Sequence, residues 1–399
     1  MLKQNLLQRN GNLSVFLYFG LLTTDNFISI IAMLKRIFLR VVSIFVISLN
    51  HFAFSQTNLD TLFTEFQENN KRILIIAEEH FVGQKHEELE KIILGFHAHF
   101  PNDKINLVFE LPKSSEYILE KLRTTNDSAS FEGYFDHLYS GKSKTPSLFW
   151  LDFKKLIYTV SQSVPEDKLQ FHCIDFERRY RKTAYCINQY LIDQYDMISQ
   201  PLDSLLRQET IRDDSINQQC LESVLHSFLE TKNDSFLLDV LKALSIESGF
   251  TQSRGTFLSD QFCALSKNEE YIIGNFGLLH VFDTVNLYKD NPKYHTYILD
   301  KNGNPHNPFL FQSCNNSFDD TYVIGLMALK KARSHEDKFQ IETDRGMFFS
   351  EAQTNLLHQL SSFGYRSCFS TSRYPDLNTL PINYIILYQW SNYRDFIQK

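Results

Sequence analysis

The sequence predicts an α/β fold: a mostly parallel β-sheet flanked by helices, with an inserted helical subdomain. Three observations carry this. The runs 72–80 and 271–280 are apolar on both faces, as strands inside a parallel sheet are, and each ends in a histidine, His80 and His280. Between 72 and 123 strand-like and helix-like segments alternate as βαβα, the pattern of parallel strands joined by right-handed crossovers. From 181 to 268 the pattern is almost wholly helical, too long a stretch for one crossover.

The elements follow in order. Leu59, Leu62, Phe63 and Phe66 repeat at helical spacing, which predicts a helix over 57–70. A strand over 72–77 precedes a helix through 87–94, stopped by Pro101 and Asn102. A strand over 105–110 and a helix over 114–123 come next. Residues 124–147 are rich in Ser, Thr, Asp and Gly and read as a long surface excursion. A helix over 149–162 leads into a strand over 169–175. Within 181–268 the breaks fall near Pro201, Asn233-Asp234 and Gly249. A strand over 271–276 returns to the sheet. Residues 294–299, 322–329 and 384–388 are further strands, and 301–320 is loop-like.

A length of 399 residues with 43% apolar side chains allows one large domain or two small ones and can bury a substantial core. A formal net charge of −7 argues against nucleic acid or an anionic membrane as the main partner. The segment 33–55 has the layout of a signal peptide: basic Lys35, Arg36 and Arg40, an apolar stretch 41–49, and Ala53-Phe54-Ser55 as a small-x-small cleavage site. Residues 1–32 are then a doubtful N-terminal extension, and 56–399 is one mature domain carrying the helical insertion at about 181–268. This implies an exported protein, periplasmic or secreted, with no stable membrane span after cleavage; the alternative is an uncleaved N-terminal anchor. The six cysteines, 173, 186, 220, 263, 314 and 368, form no Cys-x-x-Cys pair, so a cysteine-based zinc site has no support. Export permits disulfides, but their pairing is not readable from the sequence.

Polar groups at the carboxyl ends of parallel strands face the crevice where such sheets bind ligands. Here those groups are Glu78-Glu79-His80, Glu110, Asp175 with Glu177 just beyond, and His280. Adjacent residues of an extended chain point opposite ways, so only one of Glu78 and Glu79 faces the crevice. Such a cleft supports two mechanisms. Either a histidine acts as general base on water beside a carboxylate, or His80, His280 and Glu78 hold a divalent metal that activates water. Neither a Gly-x-Ser-x-Gly elbow nor a P-loop is present.

These motifs resemble the superfamily that groups erythromycin esterases, ChaN-like haem-binding lipoproteins and TraB/Tiki proteins. Its hallmark is a pair of Gly-x-x-His motifs at strand ends, with a Glu near the first His, an acid on the next strand, and an Arg before the second motif. The second motif, Gly277-Leu278-Leu279-His280, is intact; the first reads Ala77-Glu78-Glu79-His80, with Ala in place of Gly. Ala does not adopt positive φ as Gly does. Glu110 matches the second acid, Asp175 a strand-terminal Asp, and Arg254 the Arg. The resemblance spans 72–299 and favours Glu78 over Glu79. It implies an exported hydrolase in which water attacks an ester or amide carbonyl of a small molecule or peptide. His80, Glu78, Glu110 and His280 would be catalytic, and Arg254 and Asp175 would bind substrate or position charge. The alternative it implies is a non-enzymatic protein binding haem or a metal in the ChaN manner.

Overall fold

In a computed structural model, residues 59–78, 84–138, 148–177, 180–207, 215–246, 252–267, 270–283, 303, 309–314, 319–329, 331–332, 349–361, 366–388 and 391–392 are described. The chain divides into two units, Met1–Leu59 and Asp60–Lys399. The expected extension, signal peptide and cleavage site lie in the first, outside the described residues. The strand expected over 294–299, most of 301–320, and Gly249 are also outside the described residues, in the second unit.

The second unit is built on a seven-stranded sheet. After helix α1 (59–68) come β1 (Ile73–Glu78), α2 (Lys85–His99), β2 (Ile105–Pro112) and α3 (Ser115–Thr125). Then come α4 (Ser128–Leu138), α5 (Leu148–Ser163) and β3 (Leu169–Asp175). Helices α6 (Tyr180–Tyr195), α7 (Gln200–Arg207), α8 (Ser215–Leu229), α9 (Ser235–Leu244) and α10 (Gln252–Ser266) separate β3 from β4 (Tyr271–Gly277). The chain finishes with β5 (Thr321–Ala328), β6 (Lys331–Ala332), α11 (Glu351–Ser361), β7 (Arg366–Ser370), β8 (Tyr384–Tyr388) and β9 (Ser391–Asn392). The strand order is β3-β2-β4-β1-β5-β8-β7; β7 alone runs antiparallel to its neighbour, and β6 pairs with β9 apart from the sheet. The expected α/β class with a mostly parallel sheet is what forms. Every residue of β1 and β5 is buried, as strands covered on both faces must be. Among the described residues no helix is long and apolar enough to cross a membrane.

Residues 128–138 correct the expected surface excursion. They form α4, which buries Phe131, Tyr134 and Phe135 at helical spacing. Asp127 starts it: its Oδ1 accepts the Ser130 N–H at 2.9 Å, and this bond is the largest reason its carboxyl is held down at about 2. The helices between β3 and β4 do not all pack alike. α6 to α9 share a core of their own, with Ala184, Leu191, Leu205, Leu221 and Val240 inside it. Asp234 caps α9 through the Leu237 N–H at 2.9 Å and accepts the hydroxyls of Tyr190 and Tyr195 from α6. α10 instead sends Leu258 and Phe262 into the core of the sheet.

Both sheet edges are covered by charge. On the β3 edge, α3 supplies Glu116 to the Cys173 N–H at 2.9 Å and Glu120 to the Phe171 N–H at 2.5 Å, satisfying donors that an edge strand leaves open. At the other edge, fully buried Glu88 of α2 accepts from Arg366 of β7 at 3.1 and 2.7 Å and from the Tyr388 hydroxyl of β8 at 2.5 Å. Burial opposes the Glu88 charge, but Arg366 more than offsets this, so its pKa is lowered. Glu88→Ala should cost about 3 kcal/mol, because it leaves a largely buried guanidinium without its partner; urea denaturation measures this, and a loss within error of zero contradicts it.

His172 of β3 is buried with its Nε2 3.1 Å from Asn106 Oδ1. The Asn106 amide nitrogen donates to Glu270 at 2.9 Å and to the Tyr271 carbonyl at 3.2 Å, so its oxygen faces the ring and His172 Nε2 is the donor. Burial, and then the charge of Lys113, pushes this imidazole down to about 4 from an ordinary 6.5. Between those pH values the unfolded chain binds the extra proton, so this group lowers stability as pH falls from 6.5 to 4, by at most about 1.4 kcal/mol per pH unit. Chemical unfolding across that window should show the decline, and His172→Gln should flatten it.

Candidate functional site

The strand order fixes where a cleft opens. From β2 the chain passes outward to β3; from β4 it passes to β5 on the other side. Connections that leave neighbouring strands in opposite directions part at the strand ends and leave a crevice there. Glu110 and His280 sit at the carboxyl ends of these two strands. The β2–β3 register shifts between Phe109 and Pro112, where β2 holds one residue more than β3. That bulge contains Glu110, and bulges re-aim side chains.

Arg254 stands at the centre. It comes from the first turn of α10 and is 4% exposed. Its Nε and Nη2 meet the two oxygens of Asp175 at 3.0 Å each, a bidentate pair. The same Nη2 meets Glu110 Oε1 at 2.6 Å. Its guanidinium carbon lies 5.2 Å from the centre of the Phe176 ring. Burial opposes this charge, but Asp175 and then Glu110 more than offset it and raise the pKa above the ordinary arginine value. Asp175 is fully buried, and its Oδ1 also accepts the Phe176 N–H at 2.9 Å. Arg254 is thus held from below by Asp175.

Glu110 keeps 20% of its side chain exposed and so faces the opening. Its Oε1 is shared: Arg254 lies on one side and His280 Nε2 on the other at 3.3 Å. Its Oε2 accepts the Gly277 N–H at 3.3 Å. His280 ends the short 3₁₀ turn after β4, is buried, and has Phe276 at 6.4 Å between ring centres.

Glu78 ends β1 opposite Gly277 of β4, so Gly277 lies between Glu78 and Glu110. Glu78 is buried, and its Oε1 accepts from Lys85 Nζ at 2.5 Å. Its Oε2 is buried with no hydrogen-bond partner among the described residues. An unsatisfied carboxylate oxygen is costly inside a protein, so a water or ligand is its expected partner. Lys85 was not foreseen in the sequence; an ion pair across a loop leaves no periodic signal.

Ala77 lies inside β1, paired with Phe276 and Gly325, and among the described residues positive φ at non-glycine positions is confined to Asn70, Asn126 and Asp196. The replacement of Gly by Ala in the first motif thus meets no backbone obstacle. His80 and Glu79 lie outside the described residues. Glu177 turns away from the cleft to Ser114 and Thr183, and burial raises its pKa. His86 is buried 5.5 Å from Phe153.

Of the three residues expected to hold a metal, Glu78 and His280 are described and His80 is not. Glu110 and Asp175 already accept from Arg254, and no group of three His, Cys, Asp or Glu suited to a metal is present among the described residues. Arg254→Met should destabilise by about 3 kcal/mol or more, because it strands a fully buried carboxylate. Arg254→Lys should recover only part of that, since an ammonium cannot reproduce the fork; calorimetric Tm values of the two variants check the order.

No protein-family model and no curated protein matches the chain. Three solved structures resemble it over most of its length. A succinoglycan biosynthesis protein aligns with TM-score 0.47 at 10% identity, covering 81% of this chain and 88% of that one. A mutant of the erythromycin esterase EreC in its open conformation aligns with TM-score 0.43 at 12% identity, covering 88% and 96%. ChaN of Campylobacter jejuni with cofacially bound haem aligns with TM-score 0.29 at 8% identity, covering 83% and 95%. The latter two are erythromycin esterase and ChaN, the names that the paired histidine motifs bring forward.

Proposed function

We propose that the protein is an exported hydrolase in which water attacks an ester or amide carbonyl at the Glu78–Glu110–His280 cleft. The observation that carries this is the Glu110 carboxylate held between buried Arg254 and His280, with the buried Glu78 Oε2, which has no hydrogen-bond partner among the described residues, across the intervening strand β4. Lys85 fixes one oxygen of Glu78 and leaves the other as the acceptor for an attacking water. His80 follows Glu78 by two residues in the sequence. On the other side, His280 rests against Glu110, where a positive imidazolium is stabilised as it passes a proton to the leaving group. Arg254 stays buried and fixes Glu110; it does not meet the substrate. Export is supported by the signal-like segment 33–55 and by the Cys263–Cys314 disulfide, a bond that persists in oxidising compartments.

The test is hydrolysis of a series of p-nitrophenyl esters of increasing acyl length by the purified protein. Glu78→Gln, Glu110→Gln and His280→Asn should each lower kcat by roughly 10²-fold or more while circular dichroism stays unchanged. Folded variants that keep full activity would remove these residues from the mechanism. A Soret band on haem titration, lost in His280→Ala, with no hydrolysis of any ester, would replace this reading with haem binding.

A further inference from the structure

Helix α10 carries Arg254 in its first turn and Cys263 nine residues later. Cys263 is bonded to Cys314, across a sequence separation of 51 and with the Cα atoms 5.2 Å apart, within the span a disulfide bridges. Cys314 ends the turn 309–314, and that turn holds the site: the Leu310 N–H donates to the His280 carbonyl at 2.8 Å. A second tie lies one helical turn before Cys263, where Ser259 Oγ accepts the Ser313 N–H at 2.8 Å. Rings continue the connection. Phe311 lies 5.3 Å from Phe262, Phe262 lies 5.8 Å from Phe276, and Phe276 lies 6.4 Å from His280.

The two groups that meet on Glu110 Oε1 thus come from two segments that the disulfide joins. Arg254 comes from α10, and His280 comes from the turn that Leu310 anchors. We propose that Cys263 and Cys314 are positioning residues for the cleft: their bond keeps the His280 turn in register with the Arg254 helix, so the site is assembled only in the oxidised protein. Cys314 is partly exposed beside exposed Gln312 and Ser313, so a reductant reaches the pair. Opening needs a dithiol. One of its thiolates attacks a sulfur of the pair, a mixed disulfide forms, and the second thiolate resolves it; the protein gains two electrons and two protons as the dithiol becomes a cyclic disulfide. The consequence for turnover rests on the hydrolase reading, whereas the consequence for geometry does not.

Hydrogen–deuterium exchange of the oxidised protein and of the protein fully reduced by dithiothreitol, with both thiols confirmed by alkylation and mass spectrometry, tests this. In the reduced protein, 278–283 and 309–314 should lose protection by at least about tenfold while β1 and β2 keep theirs. Hydrolysis of p-nitrophenyl butyrate should fall roughly 10²-fold and return on reoxidation. Cys263→Ala/Cys314→Ala should match the reduced protein without any reductant present. Unchanged exchange in both segments after complete reduction would overturn the proposal. So would loosening spread evenly over the sheet, which marks a general staple. If the oxidised protein hydrolyses nothing but the two segments loosen as expected, the positioning role stands and the hydrolase reading falls.

Discussion

The cleft depends on one buried guanidinium. Arg254 is fixed by both oxygens of fully buried Asp175 and spends its remaining reach on Glu110. Neither partner could stay charged in that place alone: a buried carboxylate or arginine without its counter-charge is strongly destabilising. The triad draws together the ends of β2 and β3 and the start of α10. In the chain, four helices with their own core separate β3 from α10.

This arrangement divides labour among the carboxylates. Asp175 neutralises Arg254 from below and sees no solvent. Glu110 is placed by a bulge, by Arg254 and by the Gly277 N–H, and keeps a solvent-facing side towards His280. Glu78 is set apart on β1, paired with Lys85 through one oxygen. A hydrolytic site needs groups of the same chemical type in different states of restraint, and different environments are how a fold separates such roles.

Much of this was legible in the sequence, for a physical reason. A parallel strand is apolar throughout, so the residue that ends it with charge stands out, and Glu78, Glu110, Asp175 and His280 all do. Arg254 was reached only through the family resemblance, because a helix surface tolerates arginine anywhere and its burial is a tertiary fact. Lys85 was missed because its pairing with Glu78 spans a loop. The bulge at Glu110 leaves no pattern in Val-Phe-Glu-Leu-Pro beyond the proline. α4 was hidden by polar composition, although Asp127 followed by Phe131, Tyr134 and Phe135 spells a cap and a helical face. β7, Arg-Ser-Cys-Phe-Ser, is a short polar edge strand, and the Glu88–Arg366 pair that secures it joins residues far apart in the chain.

The proposed function requires that the groups held in place by Arg254 bind an ester-hydrolysis intermediate beside His280. The most direct measurement is a crystal structure of the protein with a phosphonate mimic of an ester-hydrolysis intermediate. The phosphonyl group is expected in the crevice at the ends of β1, β2 and β4, with an oxygen accepting from His280 and the Arg254–Asp175 pair undisturbed beneath it. A mimic bound elsewhere on the molecule, or one that draws Arg254 away from Asp175, would contradict it.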